Sequence, residues 1–233
     1  MKTNRLRQFW FDHWQLLLLT AALFALWQTP LVFPSKLTVV YLHELSHGFA
    51  AILTGGEVLE MSVSRRIGGF AVTRGGNAFV IFSAGYLGSL LLGAGLLIAA
   101  LRSEVDRYVL GGLGALTLLV TAAFMREGFA ILYGVVTGSV LLAVAVWCGH
   151  AINDLALRVI GLSSMIYVPF DIFDDTIRRA NLRSDARMLA EEFGGTTLIW
   201  GGLWLVISLV VIVFTLRLAL HQRSNLDFRK TVR

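Results

Sequence analysis

The sequence predicts an all-α polytopic membrane protein, and two observations lead to that fold class. Apolar residues make up 56% of the 233 residues and charged residues only 15%, and the mean hydropathy is +0.72. A soluble domain usually carries about a quarter charged residues. The apolar residues are also grouped into runs of the length that crosses a bilayer, which is about 20 residues. We therefore expect one transmembrane domain over residues 1–233, embedded in a lipid bilayer as an integral, multi-pass protein.

Seven apolar windows are candidate membrane helices. They cover residues 14–33, 36–54, 77–101, 107–124, 129–148, 155–175 and 196–219. The first window follows a basic segment but lacks a small-residue cleavage site, so we interpret it as a retained span rather than a signal peptide. Only Arg126, Glu127 and Gly128 separate the fourth window from the fifth. The expected number of spans is therefore about six to seven.

Two segments are too polar to span a membrane. Residues 55–76 alternate apolar and polar side chains between pairs of glycines, a pattern that predicts short strands or a β-hairpin at the membrane surface. Residues 176–195 are rich in charge and predict a polar surface helix that ends at Gly194 and Gly195.

The net charge of +5 does not indicate nucleic acid as a partner, because the basic residues flank apolar segments and can set topology there. With the N-terminus inside, the cytoplasmic side receives Lys2, Arg5, Arg7, Arg65, Arg66, Arg74, Arg126, Arg178, Arg179, Arg183 and Arg187. Seven spans would leave the basic tail on the opposite side, namely Arg217, Arg223, Arg229, Lys230 and Arg233. Either the span count is one too high or the tail tolerates that side. The single cysteine, Cys148, excludes a disulfide framework and a thiolate metal cluster.

Three polar side chains interrupt the second apolar window. His43, Glu44 and His47 lie within residues 37–53, where a charged group at the centre of a span costs about 2.5–3.5 kcal/mol. Residues four apart lie one above the other on a helix, so the two imidazoles can converge on one ion. Glu44 projects beside them. This H-E-x-x-H pattern indicates two zinc ligands and a general base that takes a proton from water activated by the metal.

A catalytic zinc usually has three protein ligands, so a third must come from elsewhere in the chain. The best supply is Asp171, Asp174 and Asp175, where an apolar segment meets carboxylates just after Pro169. Proline can kink the helix there and direct a carboxylate inwards. His150 and Asp154 are weaker candidates near the start of the same segment.

Three stretches of the chain resemble the site-2 protease family of zinc metalloproteases, in particular its compact bacterial branch. They are HELSHGFAAILTGG from residue 43, TRGGNAFVIFSAGYLGSLL from residue 73 and VPFDIFDDTIRR from residue 168. The family's usual Leu-Asp-Gly is replaced here by Asp171 and the four residues that follow it.

The resemblance implies an intramembrane zinc metalloprotease that hydrolyses peptide bonds of a membrane protein or peptide. His43, His47 and Asp171 would hold Zn²⁺, and Glu44 would act as the base. Asp171 is chosen because it lies deepest along the apolar segment. The resemblance also implies a multi-pass protein of a bacterial inner membrane.

Two other functions could use the same polar residues. A membrane metal transporter or sensor would need ionisable groups along a path through the bilayer, whereas the sequence has one strong cluster. A non-proteolytic scaffold would bind membrane segments but would have no need of Glu44. The sequence does not indicate the oligomeric state.

Overall fold

A computed structural model describes residues 2–179 and 182–226 and confirms the predicted fold class. Within these residues, eight α-helices and one two-stranded sheet follow one another along the chain. They are α1 (Lys2–Ala25), α2 (Phe33–Leu53), β1 (Glu57–Ser64), β2 (Gly68–Arg74), α3 (Ala78–Arg102), α4 (Asp106–Phe124), α5 (Gly128–Trp147), α6 (His150–Phe173), α7 (Asp185–Phe193) and α8 (Thr197–Ala219).

Five of the described helices, α3, α4, α5, α6 and α8, are long and apolar enough to cross a membrane. The first two predicted spans form a bent pair instead, because α1 and α2 meet at 116° across a short 3₁₀-helix, Pro30–Val32. Counted as one span, this pair raises the number of candidate spans to six. The proline ring fixes φ and removes an amide donor, which explains why a continuous helix does not form there.

The predicted hairpin is present. β1 pairs with β2 in antiparallel register from Glu57 opposite Arg74 to Ser64 opposite Gly68, and it contains an irregularity between Val58 and Glu60. The sheet has only these two strands among the described residues, so one edge of β2 is unpaired. Ser62 of β1 donates a hydrogen bond of 2.7 Å to Glu127, which ties the hairpin to the loop between α4 and α5.

The polar segment after α6 departs from the single surface helix expected over residues 176–195. The chain first continues α6 as a π-helical turn, Asp174–Arg178, and only later forms α7. Ser184 caps α7 by accepting a hydrogen bond from the amide of Arg187. Gly194, with φ of 82°, ends the helix in a conformation that favours glycine, as predicted.

Both described ends of the chain meet at the end of the bundle that lies opposite the hairpin. The amide of Ser224 donates to the carbonyl of Asp12, and the Oγ of Ser224 lies 2.8 Å from Nδ1 of His13. Arg158 of α6 donates to the carbonyl of Ser224 and forms a buried ion pair with Asp154.

The bent pair decides how the basic residues are distributed between the two sides. If α1 and α2 form one span, the start of α1 lies on the opposite side from the arginines of the hairpin, and six crossings return Arg217 and Arg223 to the side where α1 begins. Arg229, Lys230 and Arg233 lie outside the described residues.

Helix α2 lies at the centre of the packing, against α3, the hairpin and α6. Its residues Leu37, Tyr41 and Leu42 are almost fully buried. Helices α3 and α6 approach closely because Gly161 faces Gly93, where a Cβ on Gly161 would lie 2.7 Å from the carbonyl oxygen of Gly93. These contacts fix the histidine-bearing helix between the hairpin on one side and α3 and α6 on the other.

Candidate metal centre

The two predicted histidines lie on one face of α2. His47 is buried, and His43 is only slightly more exposed. Their rings stand edge to face with centroids 4.7 Å apart, as the four-residue spacing predicts. Both Nε2 atoms point towards the same carboxylate, which comes from a different part of the chain.

That carboxylate belongs to Asp185, the first residue of α7. Its Oδ2 lies 3.0 Å from Nε2 of His43 and 3.2 Å from Nε2 of His47. One ligand atom from each of the three residues lies within 4.8 Å of the other two. Among the described residues this is the one group of three or more potential ligands that could hold a metal ion.

Local structure explains why Asp185 reaches the histidines. Ser184 caps the helix, while Ala186 and Leu189 bury one face of α7 against the core. Burial alone would raise the pKa of Asp185, but the imidazoles of His47 and His43 favour the carboxylate and bring the pKa well below its usual range. An ionised carboxylate is the form in which aspartate binds a metal.

The donor atoms of this group fit a zinc ion. Although Oδ2 of Asp185 is buried beside two imidazole nitrogens, it has no hydrogen bond of normal geometry. On the far side of the ring, Nδ1 of His47 lies 2.7 Å from the carbonyl oxygen of Ile81. A carbonyl accepts only from an N–H, so this contact places the proton on Nδ1 and leaves the Nε2 lone pair free for a metal.

Gly85 of α3 provides the space beneath the two rings. A Cβ at this position would lie 2.5 Å from Nε2 of His47 and 2.6 Å from Cε1 of His43. Any larger residue would therefore displace the imidazoles from their present positions.

Glu44 lies beside the histidines and is buried. Its carboxylate faces β2, where a Cβ on Gly69 would lie 2.7 Å from Oε1 of Glu44. Both sit at the wall of a cavity of about 810 Å³. On one side the cavity is lined by residues 67–73 of the hairpin, and on the other by α3, α6 and the segment that leads to α7.

The aspartates predicted after Pro169 are not part of the three-residue group. Asp171 and Asp175 line the same cavity, but both carboxylates face the guanidinium of Arg179, at 3.5 Å and 2.8 Å. Asp174 pairs with Arg178 at 2.9 Å on the exposed side of the turn. The carboxylate that joins the histidines is therefore Asp185 and not Asp171, because the turn after α6 presents Asp171 to an arginine.

The two weaker candidates lie at the opposite end of the bundle. His150 pairs with Asp106 at 2.6 Å, and Asp154 pairs with Arg158. Neither lies near α2's histidines.

Sequence reasoning missed Asp185 because it considered only carboxylates in or beside an apolar span. The available signal was local. Ser184 and Asp185 form the start of a short helix within the polar segment. Capping fixes the backbone at such a start, so the helix determines the direction of the Asp185 carboxylate.

A model of one protein family matches residues 16–215, and its description is Peptidase M50B-like. The match includes all four residues discussed above, His43, Glu44, His47 and Asp185. Comparisons with curated proteins and with solved structures give no match. The chain belongs to the Peptidase M50B-like family, a membrane metalloprotease family, and the resemblance of its motifs to the site-2 proteases is confirmed.

Proposed function

We propose that the chain is an intramembrane zinc protease that hydrolyses peptide bonds of membrane-embedded substrates. One observation carries the proposal. Asp185 from a short helix between two spans converges with His43 and His47 of the H-E-x-x-H helix, and Glu44 lies beside them at the wall of a large cavity. Family membership supports the class of reaction.

Zn²⁺ would be held by His43, His47 and Asp185. Two nitrogens and one carboxylate oxygen are a common ligand set for a catalytic zinc, and three protein ligands leave one position open. When bound, zinc supplies Lewis-acid polarisation of a peptide carbonyl and lowers the pKa of water.

Glu44 is the proposed general base. Its carboxylate takes a proton from the attacking water and later gives a proton to the amine that leaves, so one residue serves both halves of the hydrolysis. Burial against β2 keeps the side chain at the cavity wall and away from competing surface cations.

The unpaired edge of β2 is the proposed binding surface for the substrate backbone. A helical substrate must unwind before cleavage, because its amides are otherwise engaged in hydrogen bonds. An extended segment could then pair with β2 by strand addition. Residues 67–73 line the cavity that holds Glu44, so a strand added there runs past the catalytic groups.

The candidate spans support a substrate that is itself in the membrane, and the resemblance of the motifs suggests a bacterial inner membrane as the setting. The lipid bilayer is thus the medium for both enzyme and substrate.

The test uses the full chain, purified and reconstituted with a peptide that contains one membrane segment. We expect Glu44→Gln to keep stoichiometric zinc but to lower the cleavage rate at least 10²-fold, because the proton acceptor is lost. Glu57→Gln is the matched control, since Glu57 is exposed and pairs with Arg74 at the other end of β1. It should cleave as the wild type does.

Other results would contradict the proposal. Full cleavage by the Glu44→Gln variant would remove Glu44 from the reaction. Metal flux into proteoliposomes that survives Glu44→Gln would favour a transporter. Stoichiometric zinc in a wild type that cleaves no membrane segment would favour a scaffold.

A further inference from the structure

A chain of contacts joins the metal centre to the end of α6, and it uses two of the aspartates that do not reach the histidines. It begins at Tyr86 of α3, which is 2% exposed. The ring of Tyr86 stands edge to face against His43, with centroids 4.7 Å apart and an interplanar angle of 81°. Trp204 of α8 packs on Tyr86 at 5.3 Å.

The hydroxyl of Tyr86 donates a hydrogen bond to Oδ2 of Asp175. The other oxygen of Asp175 accepts from Arg179 at 2.8 Å, and the same guanidinium lies 3.5 Å from Asp171. Each oxygen of Asp175 thus has a donor from the protein. One donor comes from α3 and the other from the end of the turn after α6, so Asp175 joins these two segments.

This network lies at the end of α6, in the segment that precedes the Asp185 helix. Asp185 arrives on α7, a helix of only nine residues, so its position depends on how the chain leaves α6. The chain leaves through the π-helical turn Asp174–Arg178, a geometry that recurs at functional sites. Arg179 fixes the end of that turn by its ion pairs to Asp171 and Asp175, and its amide donates to the carbonyl of Asp174.

We propose that Asp175 is a positioning residue of the metal centre, which holds Tyr86 against His43 and, through Arg179, fixes the turn from which Asp185 is presented. The inference rests on the proposed metal site. In this role, Asp175 and Tyr86 hold the ring of His43 in place although neither is a ligand, as the carbonyl oxygen of Ile81 does for His47. Asp171 is the second anchor of Arg179.

The π-helical turn contains its own control. Asp174 neighbours Asp175 in sequence and also pairs with an arginine four residues ahead, but this pair with Arg178 lies on the exposed side. Asp174→Asn therefore removes the same charge and the same type of ion pair without touching Tyr86.

The experiment measures metal binding by the purified full chain, not activity. Zinc affinity is obtained by competition with a chromophoric chelator, and the coordination geometry is followed by the visible absorption of Co²⁺ substituted for zinc. Outer residues that orient metal ligands typically contribute about 10–100-fold in affinity. We expect Asp175→Asn and Tyr86→Phe each to weaken zinc binding in that range and to change the Co²⁺ spectrum, while Asp174→Asn changes neither.

A double variant sharpens the test. If Asp175 acts through the hydroxyl of Tyr86, Asp175→Asn combined with Tyr86→Phe should weaken binding by much less than the product of the two single effects. Tyr86→Phe keeps the aromatic ring packed between His43 and Trp204, so it remains informative if Asp175→Asn does not fold.

Each outcome decides for or against the inference. Wild-type affinity and spectrum in both single variants would overturn it, as would complete loss of zinc in Asp175→Asn, which would make Asp175 a ligand. Asp185→Asn separates this inference from the proposed function. If that variant keeps full zinc affinity, the proposed metal site itself is wrong; if it loses zinc while Asp175→Asn matches Asp174→Asn, only the positioning role fails.

Discussion

Gly85 shows how closely single residues constrain the metal centre. It is buried directly beneath two imidazoles, and an added Cβ would come within 2.5 Å of Nε2 of His47. We expect Gly85→Ala to weaken zinc binding by about 100-fold, because both rings must move from positions that place their nitrogens beside Asp185. Zinc content after dialysis against a buffered zinc series measures the change.

Gly95 is the matched control for this prediction. It lies on the same helix, but a Cβ there would meet nothing within 4 Å. Gly95→Ala should bind zinc as the wild type does and gain slightly in helix stability. Equal zinc affinity in the two variants would contradict the close packing of α3 against the histidines.

At the residue scale, the sequence allowed a site to be predicted where its residues are close together in the chain. His43, Glu44 and His47 lie within five consecutive residues, so helical geometry alone brings them to one site. Asp185 could not be assigned this way. Its position depends on the π-helical turn, the ion pairs of Arg179 and the packing of α7, and each of these is a tertiary contact between distant segments. Asp171 was chosen because it lies deepest along its apolar segment, but that position does not determine the direction of its carboxylate.

At the scale of elements, strand β2 both lines the cavity and packs against the proposed base, Glu44. Gly69 faces Glu44, and a Cβ there would also lie 2.7 Å from the carbonyl oxygen of Ser62 in β1. We expect Gly69→Ala to lower the rate of peptide cleavage by about 10²-fold, since a displacement of about 1 Å at a catalytic group has an effect of that size. The zinc content should stay stoichiometric, because the atoms nearest to the added Cβ belong to Glu44 and Ser62 and not to the proposed ligands.

Gly68 supplies the comparison within the same strand. A Cβ at Gly68 would have its nearest neighbour, Oγ of Ser64, at 3.8 Å, so Gly68→Ala should cleave at nearly the wild-type rate. We infer that β2 positions Glu44 and not the metal ligands. Loss of zinc in Gly69→Ala, or equal cleavage rates in both variants, would contradict this inference.

Most elements could be predicted because each is determined by its own composition. The windows at residues 77–101, 107–124 and 196–219 differ from α3, α4 and α8 by one residue at most at either end. The hairpin could also be predicted, because apolar and polar side chains alternate between two pairs of glycines. The angle of 116° between α1 and α2 could not be predicted, because an apolar run shows hydropathy but not the direction in which the chain continues after the proline.

At the scale of the whole molecule, the two described ends of the chain lie together and opposite the hairpin. We expect cysteines placed at Arg66, in the hairpin turn, and at Arg223, after α8, to be labelled from opposite faces of a sealed membrane vesicle. Both positions are exposed, and Cys148→Ser removes the only native thiol. An impermeant maleimide, applied before and after the vesicles are opened, gives the sidedness of each position.

Arg107→Cys at the start of α4 is the control, since it is exposed at the same end of the bundle as Arg223. It should be labelled together with Arg223→Cys. Labelling of Arg66→Cys and Arg223→Cys from one face would mean an even number of crossings between them and would contradict the six-span arrangement, in which five spans separate the two positions.

The position of Asp185 in the chain also determines when the three proposed ligands can come together. During synthesis, α2 and its histidines emerge early, and four further helices follow before α7. A nascent chain that stops short of residue 185 lacks the carboxylate ligand and has no complete site for the metal. Under the proposed function, such a chain is inert while most of its spans are being inserted. Metal binding then coincides with completion of the fold, and hydrolysis begins only in a molecule that is already assembled.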